Sequence, residues 1–189
     1  MRADAALRRQ AIVREARRLF AEHGAMIALE TIAEASGVGI ATLYRNFDSR
    51  AALADEVALA ILSDMREASS EALITVGSQA ESAWRDYIDR LVELDLGALT
   101  AALSGFVAAG MSASVRDAQA QTLSGVEEVL AAAQSAGLVR TNFGALELIV
   151  GIGMITRPQL PAIHEAAPSL TSQLVDIFVT GMRPTADPS

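Results

Sequence analysis

Apolar residues recur along the chain at three- and four-residue intervals, and strand-like alternation is absent over any useful length. The pattern predicts a first helix from about Ala6 to His23, with Ile12, Ala16, Leu19 and Phe20 on one stripe and Arg14, Arg17 and Arg18 on another face. Gly24 closes it from the C′ position. Two short helices follow, about Leu29 to Ser36 and Ile40 to Asn46, separated at Gly37. Asp48 or Ser49 is placed to cap a much longer helix reaching about Ala72, a rod of roughly 36 Å that joins two regions. Further helices are expected at about 80–95, 97–109, 114–136, 143–156 and 169–182, with a loop from Arg157 to Pro168, where prolines stand at 158, 161 and 168. No period of 20–50 residues repeats. The expected fold is all-α.

The stretch around Gly37 has the chemistry of a helix-turn-helix. Two helices that cross closely need a small residue at the crossing, and a chain that reverses within three or four residues needs backbone freedom. Ala33 and Gly37 meet those needs, and Ile32, Val38, Leu43 and Phe47 fall where the small core between the helices should lie. With Leu43 and Phe47 turned inward, Gly39, Ile40, Ala41, Thr42, Tyr44, Arg45 and Asn46 are left for an outward face with few charges. Such a face suits DNA. Thr42, Tyr44 and Asn46 can donate to phosphates, Arg45 can reach a phosphate or a guanine edge, and Ile40 and Ala41 can touch a thymine methyl. Arg50 adds a further phosphate partner.

Charge at first contradicts this reading. The 189 residues carry a formal net charge of -8, with a sequence pI of about 4.7. Counted by region the conflict goes: residues 1–50 hold eight arginines against six acids, whereas 51–189 hold seven against seventeen. Every basic residue is arginine. The 51% hydrophobic content is alanine-rich and only 4% of residues are aromatic, which favours helix. With no cysteine, neither a disulfide framework nor a thiolate metal site is available. The amino end has charges but no apolar h-region, and the uncharged run from Leu96 to Val115 is interrupted by glycine, serine and threonine. It reads as buried helix, and the chain is expected in the cytoplasm.

The full string "TIAEASGVGIATLYRNFDSRAAL" resembles the amino-terminal DNA-binding domain of the TetR family of bacterial repressors, over about residues 8 to 60. The resemblance rests on the small-residue turn, the Leu-Tyr pair, the following Phe, and the Ser-Arg that opens the next helix. It implies an N-terminal three-helix helix-turn-helix domain at 1–48, joined by a long helix to an all-helical regulatory and dimerisation domain at 49–183; the closing string RPTADPS itself reads as a tail, expected to be disordered at 184–189. It further implies a homodimeric transcriptional regulator, a repressor, that binds palindromic double-stranded DNA and is released by a small apolar effector. One position departs from the family pattern. Ala28 stands where a Ser or Thr usually caps the second helix, a loss of about 0.5–2 kcal/mol locally and of one phosphate contact.

Beyond residue 51, the expected helices have apolar faces wider than one seam requires. Met65, Trp84, Tyr87, Leu91, Leu103, Phe106 and Met111 suit an apolar ligand cavity beside the long helix, although residues of these types at helical spacing also serve as ordinary core. Near the chain end, Leu148, Ile149, Ile152 and Ile155 form one broad face, and Leu174, Ile177 and Phe178, extended by Met182, another. Two such helices can pack into the domain core or meet their symmetry mates in a four-helix dimer seam; family layout favours the seam, with Gly151 and Gly153 then permitting close approach. Catalysis has little to work with. His23 and His164 have no metal-spaced partner, and Glu127 and Glu128 face different ways on a helix, so no catalytic residue, metal or cofactor is expected. The alternatives to a ligand-released repressor are a constitutive DNA-binding protein without a switch and an all-helical enzyme.

Overall fold

The structure, a computed structural model, describes residues 2–77 and 79–184, and the side chains of all of these except 2, 3 and 106–109. The described residues form helices joined by turns and contain no strand. In chain order the helices are α1 (Arg2–His23), α2 (Leu29–Ala35), α3 (Ile40–Asn46), α4 (Arg50–Thr75), α5 (Ala80–Glu93), α6 (Leu96–Ala109), α7 (Ala113–Ser135), α8 (Ala145–Ile155), α9 (Pro161–Ala166) and α10 (Leu170–Gly181). They fall into two compact units, one within Met1–Leu62 and Ala98–Ala118, the other within Ser63–Gly97 and Gln119–Ser189.

The first unit is built on the periodic apolar stripe of α1. Ile12, Ala16, Leu19 and Phe20 are buried, as are Ile32 and Ala33 of α2, Leu43 of α3, and Phe47. Gly24 ends α1 at φ +83°, its N–H donating to the Phe20 carbonyl. Gly37 ends α2 at φ +67°, and Val38 N–H donates to the Ala33 carbonyl, so the reversal is closed by backbone bonds that only a left-handed residue allows cheaply. Ala28 indeed provides no side-chain cap to α2. Glu30 in the first turn sets a negative charge against the exposed N–H groups there. Ser49 caps α4, accepting from Ala52 N–H at 3.1 Å. The unit runs past residue 48 because Leu53, Ala54 and Val57 of α4 are buried with it.

In the second unit α4 buries Met65, Ala68, Ser69 and Ala72; α5 buries Trp84, Tyr87, Ile88 and Leu91; α7 buries Val126, Val129, Leu130 and Ala133. One polar pair lies inside this core: the Ser69 hydroxyl donates to the Met65 carbonyl and shares a 3.1 Å hydrogen bond with the Tyr87 hydroxyl. Burial pushes the Tyr87 phenol up to about 12, against the opposing pull of Ser69, so it remains a neutral hydrogen-bonding group.

Three sequence expectations are corrected. The segment from Arg157 to Pro168 is not wholly loop, since Pro161 begins α9; proline lacks an N–H that a first-turn residue has no use for, and its fixed φ is already helical. Leu148 and Ile152 are 0% exposed within the protomer, so they belong to its own core and not to a surface open to a partner. Gly151 likewise serves packing inside the protomer: a Cβ there would run into the Phe178 ring of α10, which itself meets Phe143 edge-on at 5.9 Å. The expected tail at 184–189 lies outside the described residues apart from Pro184. Among the described residues no helix is long and apolar enough to cross a membrane. The uncharged run of the sequence divides between α6 and α7, with Gly110 at φ +100° between them.

The tightest backbone approach is at Gly97, at the start of α6. Its N–H donates to Thr156 Oγ1 at 2.9 Å, and a Cβ would clash with the Gly153 carbonyl while lying 2.5 Å from Arg157 N and 2.7 Å from Thr156 C. These are backbone atoms and cannot swing aside. Gly97→Ala is therefore expected to lower stability by about 1–3 kcal/mol. Gly153→Ala meets nothing within 4 Å and should be neutral or gain up to about 1 kcal/mol from helix propensity. Urea midpoints check both, and equal midpoints for the two variants would contradict the packing described.

Candidate nucleic-acid interface

The face of α3 follows from which residues it buries. Leu43 and Phe47 point into the unit, which leaves Gly39, Ala41, Tyr44 and Arg45 exposed and Ile40, Thr42 and Asn46 half-buried at the edges. Tyr44 is 50% exposed, an unusual situation for an aromatic ring on a seven-residue helix. No acid occurs from Gly39 to Phe47. The polar groups are ordered among themselves: Arg45 Nη2 donates to Thr42 Oγ1 at 2.9 Å, and Asn46 Nδ2 donates to the Thr42 carbonyl at 2.8 Å. The result is a presented surface of methyls, a phenol, an amide and one guanidinium, chemistry suited to base edges and phosphates.

Arg50 belongs to this region in a second way. Its Nη1 donates to the carbonyls of Ala25 and Ile27, at 2.9 and 2.5 Å, and so fixes the turn between α1 and α2. Any phosphate contact by Arg50 draws on its remaining donors. Two arginines of α1 also have acid partners. Arg18 bonds Glu15 and Glu22 at 3.0 and 2.9 Å, and these two carboxylates hold its guanidinium pKa above the ordinary value. Arg14 lies 3.5 Å from Glu15.

Arg9 escaped the sequence reading altogether. Its Nη1 donates to the Asn46 carbonyl at 2.6 Å, its Nη2 pairs with Glu56 Oε1 of α4 at 2.7 Å, and its guanidinium carbon lies 4.3 Å from the centre of the Phe47 ring. One side chain thereby ties the carbonyl end of α3 to both α1 and α4, and adds a cation–π contact to the residue that anchors α3. Only contacts 37 to 47 positions away reveal this, and no local pattern signals them.

The other predicted residues are placed as follows. Met65, Trp84, Tyr87 and Leu91 are buried together in the second unit, whereas Leu103 and Met111 belong to the first, and the Phe106 side chain lies outside the described residues. The second unit has a cavity of 310 Å³ lined by Glu81, Trp84, Arg85, Leu138, Val179 and Arg183. Trp84 alone among these was expected. Of the predicted seam residues, Ile149, Ile155 and Phe178 are half-buried and Leu174 is exposed. The exposed apolar side chains on α8 are instead Leu146, Val150 and Met154, at four-residue spacing, and Ile177 joins Leu174 on α10.

A buried three-helix unit closed by a glycine turn, with an acid-free third helix turned outward, defines a helix-turn-helix DNA-binding protein. Residues 12–57 match the family described as bacterial regulatory proteins, tetR family, and residues 79–184 match the family described as the C-terminal domain of SbtR-like transcriptional regulators. The chain belongs to the TetR family of transcriptional regulators. Among solved structures it is similar to the TetR transcriptional regulator SCO0520 from Streptomyces coelicolor, at 26% identity over 94% of this chain and 99% of that one, with a TM-score of 0.68. A TetR regulatory protein from Mycobacterium vanbaalenii is 28% identical over 97% and 99%, with a TM-score of 0.61. The fold is also that of LfrR from Mycobacterium smegmatis, solved with proflavine, at 18% identity over 96% and 98% and a TM-score of 0.65. No curated protein matches.

Replacing Arg9 with Gln keeps a hydrogen-bond donor but removes the ion pair with Glu56 and the cation over Phe47. Specific DNA affinity is expected to fall on the order of tenfold with helix content retained. The slope of log affinity against log salt should stay unchanged, because Arg9 positions α3 and does not neutralise a phosphate. A slope shallower by about one unit per bound protomer would show that Arg9 grips the backbone itself.

Proposed function

We propose that this regulator is a homodimeric repressor that holds a palindromic operator through two copies of α3 and releases it when a small apolar effector occupies the C-terminal domain. The observation that carries the DNA reading is the outward face of α3, acid-free and led by a half-exposed Tyr44. Gly39, Ile40, Ala41, Thr42, Tyr44, Arg45 and Asn46 make the contact surface, with Arg50 supporting it from α4. Methyl packing by Ile40 and Ala41 selects bases, and Tyr44 with Arg45 supplies most of the polar grip.

Dimerisation follows from the physics of the contact and from an exposed surface. A single seven-residue helix with one arginine is a weak reader, and two of them about 34–36 Å apart engage successive major-groove faces. Leu146, Val150 and Met154 on α8, with Leu174 and Ile177 on α10, are large apolar side chains left in water on two helices that pack together. A patch of that kind asks to be covered, and a second copy of the same patch covers it isologously. The seam thus uses the faces of α8 and α10 opposite to Leu148 and Ile152.

Release by a ligand is supported by the matched regulatory domain and by the fold shared with LfrR, which was solved with proflavine. α4 contributes residues to both compact units, so a shift of its second half is felt at Glu56 and, through Arg9, at α3.

Tyr44→Ala removes one phosphate-reaching hydroxyl per protomer and is expected to weaken specific DNA binding on the order of a hundredfold per dimer, with unchanged thermal stability. Wild-type affinity in a fluorescence anisotropy titration would remove α3 from the interface. Val150→Asp and Met154→Asp each place an unpaired charge in the seam. Light scattering at micromolar concentration should find a dimer for the wild type and monomer for both variants, and dimers throughout would move the seam elsewhere.

A further inference from the structure

Residues 51–189 hold seventeen acids and seven arginines, yet two of those arginines stand on the wall of a single cavity. Its volume is 310 Å³, at the lower end of the range for small-molecule sites. Glu81, Trp84 and Arg85 of α5 form one side, Val179 of α10 and Arg183 just beyond it form the other, and Leu138 closes the space from the turn after α7. The charged lining residues sum to +1 in a region whose overall balance is strongly negative.

Two ion pairs join α5 to α10 and to the residue just beyond it. Arg183 Nη2 lies 2.7 Å from Glu81 Oε1, and Arg85 Nη2 lies 2.7 Å from Asp176 Oδ1. They are not equivalent. Arg85 is held by a second acid, Asp89 at 3.3 Å, whereas Arg183 has Glu81 as its carboxylate partner. The Glu81 side chain is 72% exposed, so it gives up little by turning to water, and an exposed ion pair of this kind is worth only about 0–1 kcal/mol. The rest of the lining is apolar: Trp84, which is only 4% exposed, with Leu138 and Val179.

We propose that this cavity binds a small monocarboxylate with an apolar body, the body lying against Trp84, Leu138 and Val179 and the carboxylate taking the place of Glu81 on Arg183. A planar carboxylate can accept two parallel bonds from the guanidinium, and the apolar wall excludes water from one side of that contact. Selectivity follows from the same features. A neutral amide leaves the Arg183–Glu81 pair intact and gains only the apolar contact, while an amine meets two guanidinium groups. The proposal names the ligand class for the effector reading above and rests on it only for the consequence at the operator.

Trp84 is the only tryptophan in the chain, so its emission reports directly on the cavity. Phenylpropionate and octanoate, each titrated beside its neutral amide, are the probes. The acids should produce a saturable change in emission with at least about tenfold tighter apparent affinity than the amides. Arg183→Gln should weaken the acids about tenfold or more, whereas Glu81→Gln, which removes the competitor, should tighten them severalfold and leave the amides unchanged. Both substitutions are at exposed rim positions, so the opposite signs do not arise from unfolding. No saturable change with either acid, equal binding of acid and amide, or weaker acid binding in Glu81→Gln would each overturn the proposal. An acid that passes these tests while leaving operator affinity unchanged keeps the site and overturns release by that ligand.

Discussion

A helix of seven residues closes too few internal hydrogen bonds to persist in water, and α3 is such a helix. Its existence depends on what it buries and on what holds its ends. Leu43 and Phe47 supply the burial, the Gly37 reversal fixes the start, and the Arg9 guanidinium holds the carbonyl of Asn46 at the finish. Each device leaves the opposite face untouched. The same geometry that makes α3 stable therefore presents Ala41, Tyr44 and Arg45 outward, and the surface proposed to read DNA is what remains after the helix has been secured.

This constraint also changes the meaning of the positive charge in the first fifty residues. A count of eight arginines suggests an electrostatic footprint, but several of them are structural. Arg9 and Arg50 hold backbone carbonyls on α3 and on the turn before α2, and Arg18 is bracketed by two glutamates. Arginine suits such work because its planar fork serves two partners at once and stays charged. Fewer arginines are then left for phosphate than the count suggests, and the proposed recognition leans more on shape and methyl contacts.

Much of this was legible in the chain, and the reasons for success and failure are physical. Helical periodicity and the left-handed demand of Gly24 and Gly37 are local, so the order of helices through α8 and the turn of the reading head could be read from neighbours in sequence. The outward set on α3 followed once Leu43 and Phe47 were turned in. Arg9 could not be found that way, because its three partners lie 37 and more positions distant. Pro161 misled because proline both breaks and begins helices. Leu148 and Ile152 misled for another reason: α8 is apolar nearly all round, and composition cannot say which stripe faces its own core and which, with Val150 and Met154, faces out. The cavity beside Trp84 is assembled from α5, α10 and the turn after α7, and no stretch of sequence carries it whole.

In the proposed complex, two copies of α3, held a helical turn apart, read one symmetric site. Selecting bound sequences from a random duplex pool with the full-length protein tests it most directly, since symmetry and spacing are read from the same data. The expected result is an inverted repeat whose half-sites are centred about one turn of DNA apart, roughly 10–10.5 base pairs or a multiple of it. A single asymmetric site, or no enriched sequence at all, would contradict it.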